Sequence, residues 1–448
     1  MRDRGTLIAG AGVVLAFVVA GVGYLVIRAG EASRRHAEET HAAWAAQQDE
    51  LEARQQAEVA EAEVQPKRPA TEAIASGVKY LIDQQSADGT WRSDTYATFK
   101  SGTALTPLVV HALQETGDAA AADAIRKGCD YLAKLVKPDG SIEGANGDLD
   151  YPVYTAAVSV IALSHPDQKR HAKARDAWLK FLLSQQLTEG LGWKPDDKQY
   201  GGWGYCRLLP KKPAPGAIAP PLVESNLSAT VFALDALRTA GIKDAEPFKK
   251  ALTFVERCQN YDVPAYCRAI GHLDGGFYFI YDDPVRNKAG VVDSKGEQPA
   301  QGYHSYGSAT ADGLRALEMI AEVHPPDDAD WRRASAKGWF EQHFRASQHP
   351  GQYIPAHEPN RQAVYYYYAA SVSKALRLAK VKAVGTVTPK GVGPGKPWAP
   401  ALAAELVNRQ KPDGSWVNPV ELVRENEPLV ATANAVIALA NCMAAEKP

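Results

Sequence analysis

A repeated turn motif constrains the fold of this chain more than any other feature. The clearest copies are Gln410-Lys-Pro-Asp-Gly-Ser-Trp416 and Gln85-Ser-Ala-Asp-Gly-Thr-Trp91, and weaker copies occur at 138–142, 200–203, 273–277 and 350–353. Asp-Gly favours a turn in which the glycine takes a positive φ, and an apolar pattern with helical spacing follows every copy. Self-similarity of this kind predicts a fold built from repeated helix–turn–helix units.

The second helix of each unit shares one register with the others. When these helices are aligned on a leucine near their ends, the preceding residue is alanine in all six units, and the residue seven positions earlier is threonine or alanine. The six leucines are Leu113, Leu163, Leu237, Leu317, Leu376 and Leu439. Because small residues one and two turns apart let helices approach closely, these helices are predicted to form the inner ring of a barrel.

Composition excludes several classes of protein. With 448 residues, 45% of them hydrophobic, the chain is long enough to bury a large core. A net charge of −2 without a long basic block argues against a nucleic acid partner. The five cysteines show no CxxC spacing, which argues against a ribbon-type zinc site, and no metal or cofactor is predicted. A Cys258–Cys267 disulfide is expected only if the domain is exported.

The N-terminal region indicates membrane attachment. Residues 7–27 are apolar and uncharged, and such a run suffices to span a bilayer core of about 30 Å. The alternative is a cleaved signal peptide, but no Ala-x-Ala-like cleavage site follows. We predict an uncleaved single-pass anchor in residues 1–29, with the lipid bilayer as a partner. Arginines flank both ends of the run, so orientation rests on the short N-terminal tail, which favours a signal-anchor with the large domain on the extracytoplasmic side.

Two further segments follow the predicted anchor. Residues 30–70 are rich in Ala, Glu, Gln and Arg with a weak apolar stripe, which predicts a solvated helical stalk and linker. Residues 71–448 contain the six helical-hairpin repeats and are predicted to form an all-α domain. The third and fourth units carry insertions at about 206–223 and 281–301, and their Pro, Gly, Lys and Asp content predicts surface loops on one rim.

The repeated helix–turn–helix units with a Gln-x-x-Asp-Gly-x-Trp turn resemble the squalene–hopene cyclase and protein prenyltransferase β-subunit superfamily. The resemblance covers residues 71–443 and implies an α6–α6 toroid of six inner and six outer helices. It also implies a central apolar cavity, which takes isoprenoid chains in characterised members. Because a fold does not by itself define a reaction, the chemistry has to be sought in particular residues.

The catalytic motifs of this superfamily are incomplete here. Class II cyclases protonate an alkene with an Asp-x-Asp-Asp-Thr-Ala motif, and the nearest match is Asp148-Leu-Asp150, about one turn too early. Asp148 and Asp150 are candidate acids, or else a solvated pair favoured by a helix dipole. At the zinc-ligand positions of prenyltransferases stand His304, Tyr306 and Tyr368, which make a poor zinc site but the best candidate for a polar catalytic point.

Aromatic residues are expected near the same rim of the barrel. The candidate substrate-binding side chains are Trp203, Tyr205, Phe277, Tyr278 and Tyr365. Aromatic walls suit an isoprenoid or a carbocation, although aromatics that simply fill the interior of a toroid would give the same pattern. Two hypotheses follow. One is a membrane-anchored toroid that binds an isoprenoid, a glycan or a protein without catalysis; the other is a cyclase-like or prenyltransferase-like enzyme with a non-standard acid.

Overall fold

The structure is a computed structural model, and it describes residues 65–144, 149–261, 274–281, 283–292, 302–326, 330–385, 387–388, 391–392 and 395–447. The predicted anchor, most of the predicted stalk, Asp148 and Cys267 lie outside the described residues. Contacts divide the chain into residues 1–61 and 62–448, and only the second unit is described. Its cysteines Cys129, Cys206, Cys258 and Cys442 are buried free thiols.

Twelve helices of twelve residues or more alternate along the described part of the chain. The odd-numbered ones are α1 (Ala70–Asp83), α3 (Ala122–Lys134), α5 (Ala172–Ser184), α7 (Glu246–Arg257), α9 (Trp331–His343) and α11 (Trp398–Arg409). The even-numbered ones are α2 (Leu105–Thr116), α4 (Pro152–Leu163), α6 (Leu227–Thr239), α8 (Gly307–Val323), α10 (Tyr365–Leu378) and α12 (Pro428–Glu446).

Short elements connect these helices. The 3-10 turns are Ala97–Phe99, Ala119–Ala121, Pro166–His171, Glu189–Leu191 and Pro355–His357, and a one-turn α-helix covers Asn360–Ala363. Between α10 and α11 lie two antiparallel pairs of two-residue strands: β1 (Ala383–Val384) with β4 (Lys396–Pro397), and β2 (Val387–Thr388) with β3 (Gly391–Val392).

The even-numbered helices form a closed inner ring. Each packs against the next even-numbered helix in the chain, and α12 packs back against α2. These helices are almost wholly buried; in α4, for example, eleven of the residues from Pro152 to Leu163 are buried. The odd-numbered helices pack outside them and bury only one stripe each. The fold is therefore an all-α toroid, as the repeats predict.

The glutamine of the motif joins neighbouring units. In four copies its side-chain amide donates to the carbonyl of the turn glycine and to a second carbonyl at the start of the next outer helix. These residues are Gln85, Gln186, Gln259 and Gln410. The last of them closes the ring, because Gln410 of the sixth unit donates to Ala73 in α1 at 2.9 Å.

The recurring threonine of the inner helices holds the motif aromatic in place. The backbone N–H groups of Trp91, Trp203, Phe277 and Trp416 donate to Thr106, Thr230, Thr310 and Thr432, with distances of 3.0–3.1 Å. The indoles of Trp91, Trp203 and Trp416 also donate to carbonyls of the preceding outer helix. The motif aromatics therefore fill the space between the two rings.

One described helix is long and apolar enough to cross a membrane. It is α12, and 67% of its most apolar window is buried inside the protein. Since α12 belongs to the inner ring, its apolar character is explained by burial in the core. The membrane anchor predicted in residues 1–29 stays a prediction.

Candidate functional site

A cavity of about 470 Å³ lies within the inner ring, and the register of the inner helices explains its walls. The residues nine positions before the aligned leucines all line it: Ala104, Tyr154, Ser228, Ser308, Tyr367 and Val430. The residues five positions before the aligned leucines also line the cavity: Leu108, Val158, Phe232, Asp312, Ser371 and Asn434. Two positions before the leucines, His111, Arg315, Lys374 and Ile437 line the cavity. Positions four and three residues apart share one helix face, so the three sets form stacked layers.

The middle layer has an apolar half and a polar half. Helices α2, α4 and α6 contribute Leu108, Val158 and Phe232, whereas α8, α10 and α12 contribute Asp312, Ser371 and Asn434. The ring of Phe232 packs edge-on against Tyr154, with centroids 4.9 Å apart. A molecule in this cavity therefore meets aliphatic and aromatic carbon on one side and hydrogen-bonding groups on the other.

Buried charges line the end of the cavity that lies toward the C-terminal ends of the inner helices, which we call the deep end. Arg315 Nη2 donates to Asp235 Oδ2 at 2.9 Å, and Lys374 Nζ lies 3.7 Å from the same oxygen. Burial alone would raise the pKa of Asp235, but Lys374 and Arg315 outweigh it and hold that pKa at about 2. Burial, helped by Lys374, lowers the pKa of His111 to about 4. A neutral His111 therefore accepts a hydrogen bond from Lys374, 2.7 Å away.

Asp312 is a buried carboxyl in the middle layer. It accepts hydrogen bonds from the Tyr367 hydroxyl, at 2.7 Å, and from the Ser371 hydroxyl, while Arg315 Nη1 lies 3.5 Å away. Burial raises the pKa of Asp312 above its usual value, and the favourable contacts with Arg315, Ser371 and Tyr367 only partly oppose this rise. The carboxyl therefore holds its proton to a higher pH than a solvated aspartate.

Glu425 is a second buried carboxyl, at the end of the cavity where the inner helices begin. It is 2% exposed and accepts hydrogen bonds from the backbone N–H groups of Tyr366, at 2.9 Å, and Tyr367, at 2.7 Å. It thus satisfies donors in the first turn of α10. Burial raises the pKa of Glu425 to about 7, against the lowering effect of these hydrogen bonds. Lys288 lines the same end, and burial lowers its pKa, an effect that Glu425 opposes.

An arginine surrounded by aromatic rings adjoins Glu425. The guanidinium carbon of Arg424 lies 5.7 Å from the ring centre of Tyr96 and 5.9 Å from those of Phe99 and Tyr151. Its backbone has a φ of 66°, in the left-handed region that non-glycine residues rarely adopt. Cation–π attraction favours this position of Arg424 and so fixes the loop that forms this wall of the cavity.

The predicted polar set is only partly assembled. Tyr306 and Tyr368 both pack against one buried histidine, His349. The ring of Tyr306 is edge-on to it with centres 5.6 Å apart, and the ring of Tyr368 is stacked on it with centres 5.1 Å apart. Tyr306 lines the cavity. Tyr368 instead donates its hydroxyl to the Arg345 carbonyl at 2.9 Å, and His304 is likewise not among the cavity-lining residues. Among the described residues, no group of three or more His, Cys, Asp or Glu is placed to hold a metal ion.

The predicted acid Asp150 lies away from the cavity. Asp150 accepts a hydrogen bond from Ser101 at 2.6 Å and faces Arg207, and it does not line the cavity; Asp148 lies outside the described residues.

Of the predicted substrate-binding aromatics, only Tyr205 lines the cavity. Trp203 and Phe277 lie between the inner and outer helices because their backbone N–H groups donate to the threonines of the inner helices. The Tyr278 hydroxyl donates to the Arg257 carbonyl, and the Tyr365 hydroxyl donates to the Ala346 carbonyl. The turn motif therefore directs its aromatics toward the outer ring and not toward the cavity.

Several cavity residues were not predicted from the sequence, although a signal existed for some of them. Asp312, Arg315 and Lys374 are charged residues at the positions five or two before the aligned leucines. Extending the register to these positions would have identified them as facing the interior. Glu425 and Lys288 lie in loops outside that register, and no local pattern distinguishes them.

No protein-family model matches the chain. Over 143 residues it is 29% identical to lanosterol synthase of Candida albicans, and the match covers 28% of this chain and 18% of that enzyme. This match confirms, at the level of the superfamily, the predicted resemblance to terpene and squalene cyclase-like proteins.

Two solved structures are also similar to this chain. The type II terpene cyclase MstE from Scytonema is 14% identical, with a TM-score of 0.48 over 84% of this chain and 99% of that chain. An unsaturated glucuronyl hydrolase specific for heparin is 12% identical, with a TM-score of 0.49 over 84% of this chain and 97% of that chain. At these identities neither defines the chemistry of this protein.

Proposed function

We propose that the protein binds an isoprenoid or a similar apolar ligand in the central cavity of the toroid. The apolar half of the wall, formed by Leu108, Val158 and Phe232, carries this proposal. A ligand laid against these residues gains roughly 25 cal/mol per Å² of apolar surface removed from water. The volume of about 470 Å³ falls in the range of roughly 300–1,000 Å³ that is usual for small-molecule sites.

Membrane attachment is part of the same proposal. Residues 1–29 would anchor the chain as a single-pass protein, with the toroid on the extracytoplasmic side. Apolar ligands partition into the bilayer, so an anchored toroid would stay close to its ligand. Binding is preferred to catalysis because the Asp-x-Asp-Asp-Thr-Ala motif is missing at the matching position, where Pro152, Tyr154 and Thr155 stand.

Acid-initiated chemistry is the second candidate function, and two carboxyls favour it. Asp312 and Glu425 both line the cavity, and burial raises the pKa of each. A carboxyl that keeps its proton to a higher pH has a proton to donate to a bound ligand. Its proton would pass to an alkene carbon of the ligand, and loss of a proton from the resulting cation would regenerate the acid and leave an isomer of the substrate.

The binding proposal is tested on full-length protein purified from its own membranes, by native mass spectrometry with lipid extraction. We expect a co-purifying polyprenyl or triterpene species. Ala309 lines the cavity and is 2% exposed, so Ala309→Phe should fill the space and remove the ligand. Ala120→Phe, at an exposed position in the 3-10 turn Ala119–Ala121, is the matched control. An empty wild-type cavity, or equal loading of the Ala309→Phe variant, would contradict the proposal.

Catalysis is tested by incubating the same protein with squalene and with geranylgeraniol and by searching for products of unchanged mass by gas chromatography. The binding function predicts recovery of unaltered substrate. Formation of an isomer that disappears in Asp312→Asn or Glu425→Gln would establish the second candidate function instead.

A further inference from the structure

The cations that line the cavity differ in whether a carboxylate of the protein lies beside them. At the deep end, Arg315 and Lys374 share the carboxylate of Asp235, whose pKa of about 2 keeps it ionised. At the other end, Lys288 Nζ lies 5.8 Å from the ring centre of Phe279, and the charged group that acts on it among the described residues is Glu425. No described carboxylate forms a salt bridge with Lys288. The positive charge of Lys288 is therefore less completely neutralised by the protein than the charges of Arg315 and Lys374.

An unpaired hydrogen-bond donor lies at the same end. Tyr306 is 1% exposed and lines the cavity, yet its hydroxyl has no hydrogen-bond partner among the described residues. The backbone of Lys288 lies near this hydroxyl and lowers its pKa, against the larger effect of burial. The Lys288 charge also acts on His349, which packs against Tyr306. Because burial raises the pKa of Tyr306 well above its usual value, the hydroxyl stays protonated and available as a donor.

We propose that Lys288 and Tyr306 bind the carboxylate head group of an amphiphilic ligand. The ammonium group of Lys288 supplies the opposite charge, and the Tyr306 hydroxyl donates a hydrogen bond. The chain of the ligand then extends along the apolar wall of Leu108, Val158 and Phe232. This inference rests on the proposed binding function and deepens it, since it specifies a lipid acid in place of a neutral hydrocarbon.

The charge balance favours a head group with a single negative charge. Arg315 and Lys374 lie beside the carboxylate of Asp235, and Glu115 supplies a second negative charge to Lys374. Arg424 donates a hydrogen bond to the Tyr151 hydroxyl and lies among three aromatic rings. Among the described residues, Lys288 has one aromatic ring at 5.8 Å and no salt bridge, which leaves its charge more available to a ligand than that of Arg424. A carboxylate needs one counter-charge, whereas a diphosphate would bring additional charges into the cavity without partners.

Glu425 makes the binding sensitive to pH. Below its pKa of about 7, the neutral carboxylic acid leaves Lys288 to the ligand. Above that pH, the Glu425 carboxylate competes for Lys288 and repels the ligand head group. Affinity for a carboxylate ligand should therefore fall as the pH rises through 7, whereas affinity for an alcohol of the same chain should not change.

The experiment is equilibrium dialysis of the full-length protein at pH 6 with labelled geranylgeranoic acid and labelled geranylgeraniol, which share one chain and differ in the head group. We expect the acid to bind about tenfold more tightly, as a charge-assisted hydrogen-bonded contact allows. Lys288→Met should abolish this preference by weakening acid binding alone, and Tyr306→Phe should weaken acid binding several-fold. Lys79→Met, at an exposed position in α1, is the matched control.

The outcomes separate this inference from the binding function. Equal affinity of the wild type for acid and alcohol, or an equal loss of both in Lys288→Met, would overturn the head-group site while leaving the apolar cavity supported. Binding of neither probe would overturn both. Tighter binding of geranylgeranyl diphosphate than of the acid would overturn the assignment of a single charge. A circular dichroism spectrum and a melting temperature equal to those of the wild type show that each variant is folded, and Glu425→Gln should remove the fall in acid affinity between pH 6 and 8.

Discussion

At the residue scale, two buried carboxyls show how neighbours decide ionisation. Burial favours the neutral form of both Asp235 and Glu425. Asp235 lies beside Arg315 and Lys374, and its pKa is about 2. Glu425 accepts hydrogen bonds from two backbone N–H groups and from Asn418 and forms no salt bridge within the described part of the chain, and its pKa is about 7. A carboxyl group is therefore always ionised near neutral pH at Asp235 and gains or loses its proton near neutral pH at Glu425.

Glu425 should also make the stability of the protein depend on pH. Its pKa rises from 4.5 to about 7 on folding, so between these values the folded state keeps a proton that the unfolded state releases. The stabilisation is complete below the unfolded-state pKa and is lost as the pH rises through the folded-state pKa. At about 1.4 kcal/mol per pKa unit, the free energy of unfolding should fall by at most about 3.5 kcal/mol.

Urea denaturation at pH 5, 6 and 7 measures this effect. The Glu425→Gln variant should lack the decline, because the amide accepts hydrogen bonds without titrating. Glu421→Gln, at an exposed position in the same loop, should behave as the wild type. A decline of equal size in Glu425→Gln would assign the pH dependence to another group.

At the scale of the helices, buried charges connect elements that are distant in the chain. Asp235 belongs to α6, Arg315 to α8 and Lys374 to α10, and Lys374 also contacts His111 of α2. The turn hydrogen bonds tie neighbouring units at their ends, whereas this cluster ties four inner helices within the ring. It therefore fixes the relative positions of the helices that form the cavity wall.

Asp235→Ala should destabilise the fold strongly. It leaves Arg315 and Lys374 buried without the carboxylate they share, and breaking a buried pair from one side costs about 3–5 kcal/mol. Chemical denaturation of Asp235→Ala, Lys374→Met and the double variant measures the coupling, and the double variant should cost clearly less than the sum.

Asp83→Ala is the control for this cycle. Asp83 pairs with Lys79 at 2.7 Å on the exposed face of α1, with side-chain exposures of 54% and 75%. Exposed pairs contribute about 1 kcal/mol or less. Equal losses in Asp83→Ala and Asp235→Ala, or strict additivity in the cycle, would show that the buried cluster is not a unit.

At the scale of the whole molecule, the toroid depends on closure between its first and last units. Gln410 reaches Ala73, and α12 packs against both α1 and α2. The motif glycine Gly414, with a φ of 90°, lies against α1, so that a Cβ there would come within 2.5 Å of the Ser76 carbonyl oxygen. Gly140 has a similar φ of 81° but would meet nothing within 4 Å.

Gly414→Ala should therefore lower the melting temperature more than Gly140→Ala. Both variants strain a left-handed backbone, by about 1 kcal/mol, but only the first also forces the two ends of the ring apart. Thermal unfolding compares the two variants, and limited proteolysis reports opening at α1. Equal shifts would mean that closure contributes little beyond the local strain of the turn.

Much of the fold could be predicted from the sequence, because its signals are local and repeated. Three local signals indicate helical hairpins that pack as a ring. They are the Asp-Gly turns, the alanine before each aligned leucine, and the threonine or alanine seven positions before that leucine. The candidate site was harder. Tyr205 and Tyr306 line the cavity, but the motif aromatics Trp203 and Phe277 do not, since the threonine hydrogen bonds turn them outward.

The sequence by itself determined the number of hairpins, their common register and which face of each inner helix is turned inward, because periodicity within one helix is a local property. The tertiary structure decided which inward residues become partners. Asp235 and Arg315 are 80 positions apart, and Glu425 and Tyr366 are 59 apart. Charges on separate helices meet only when the ring closes, so the charged end, the pKa of Glu425 and the unmatched charge of Lys288 are properties of the closed toroid.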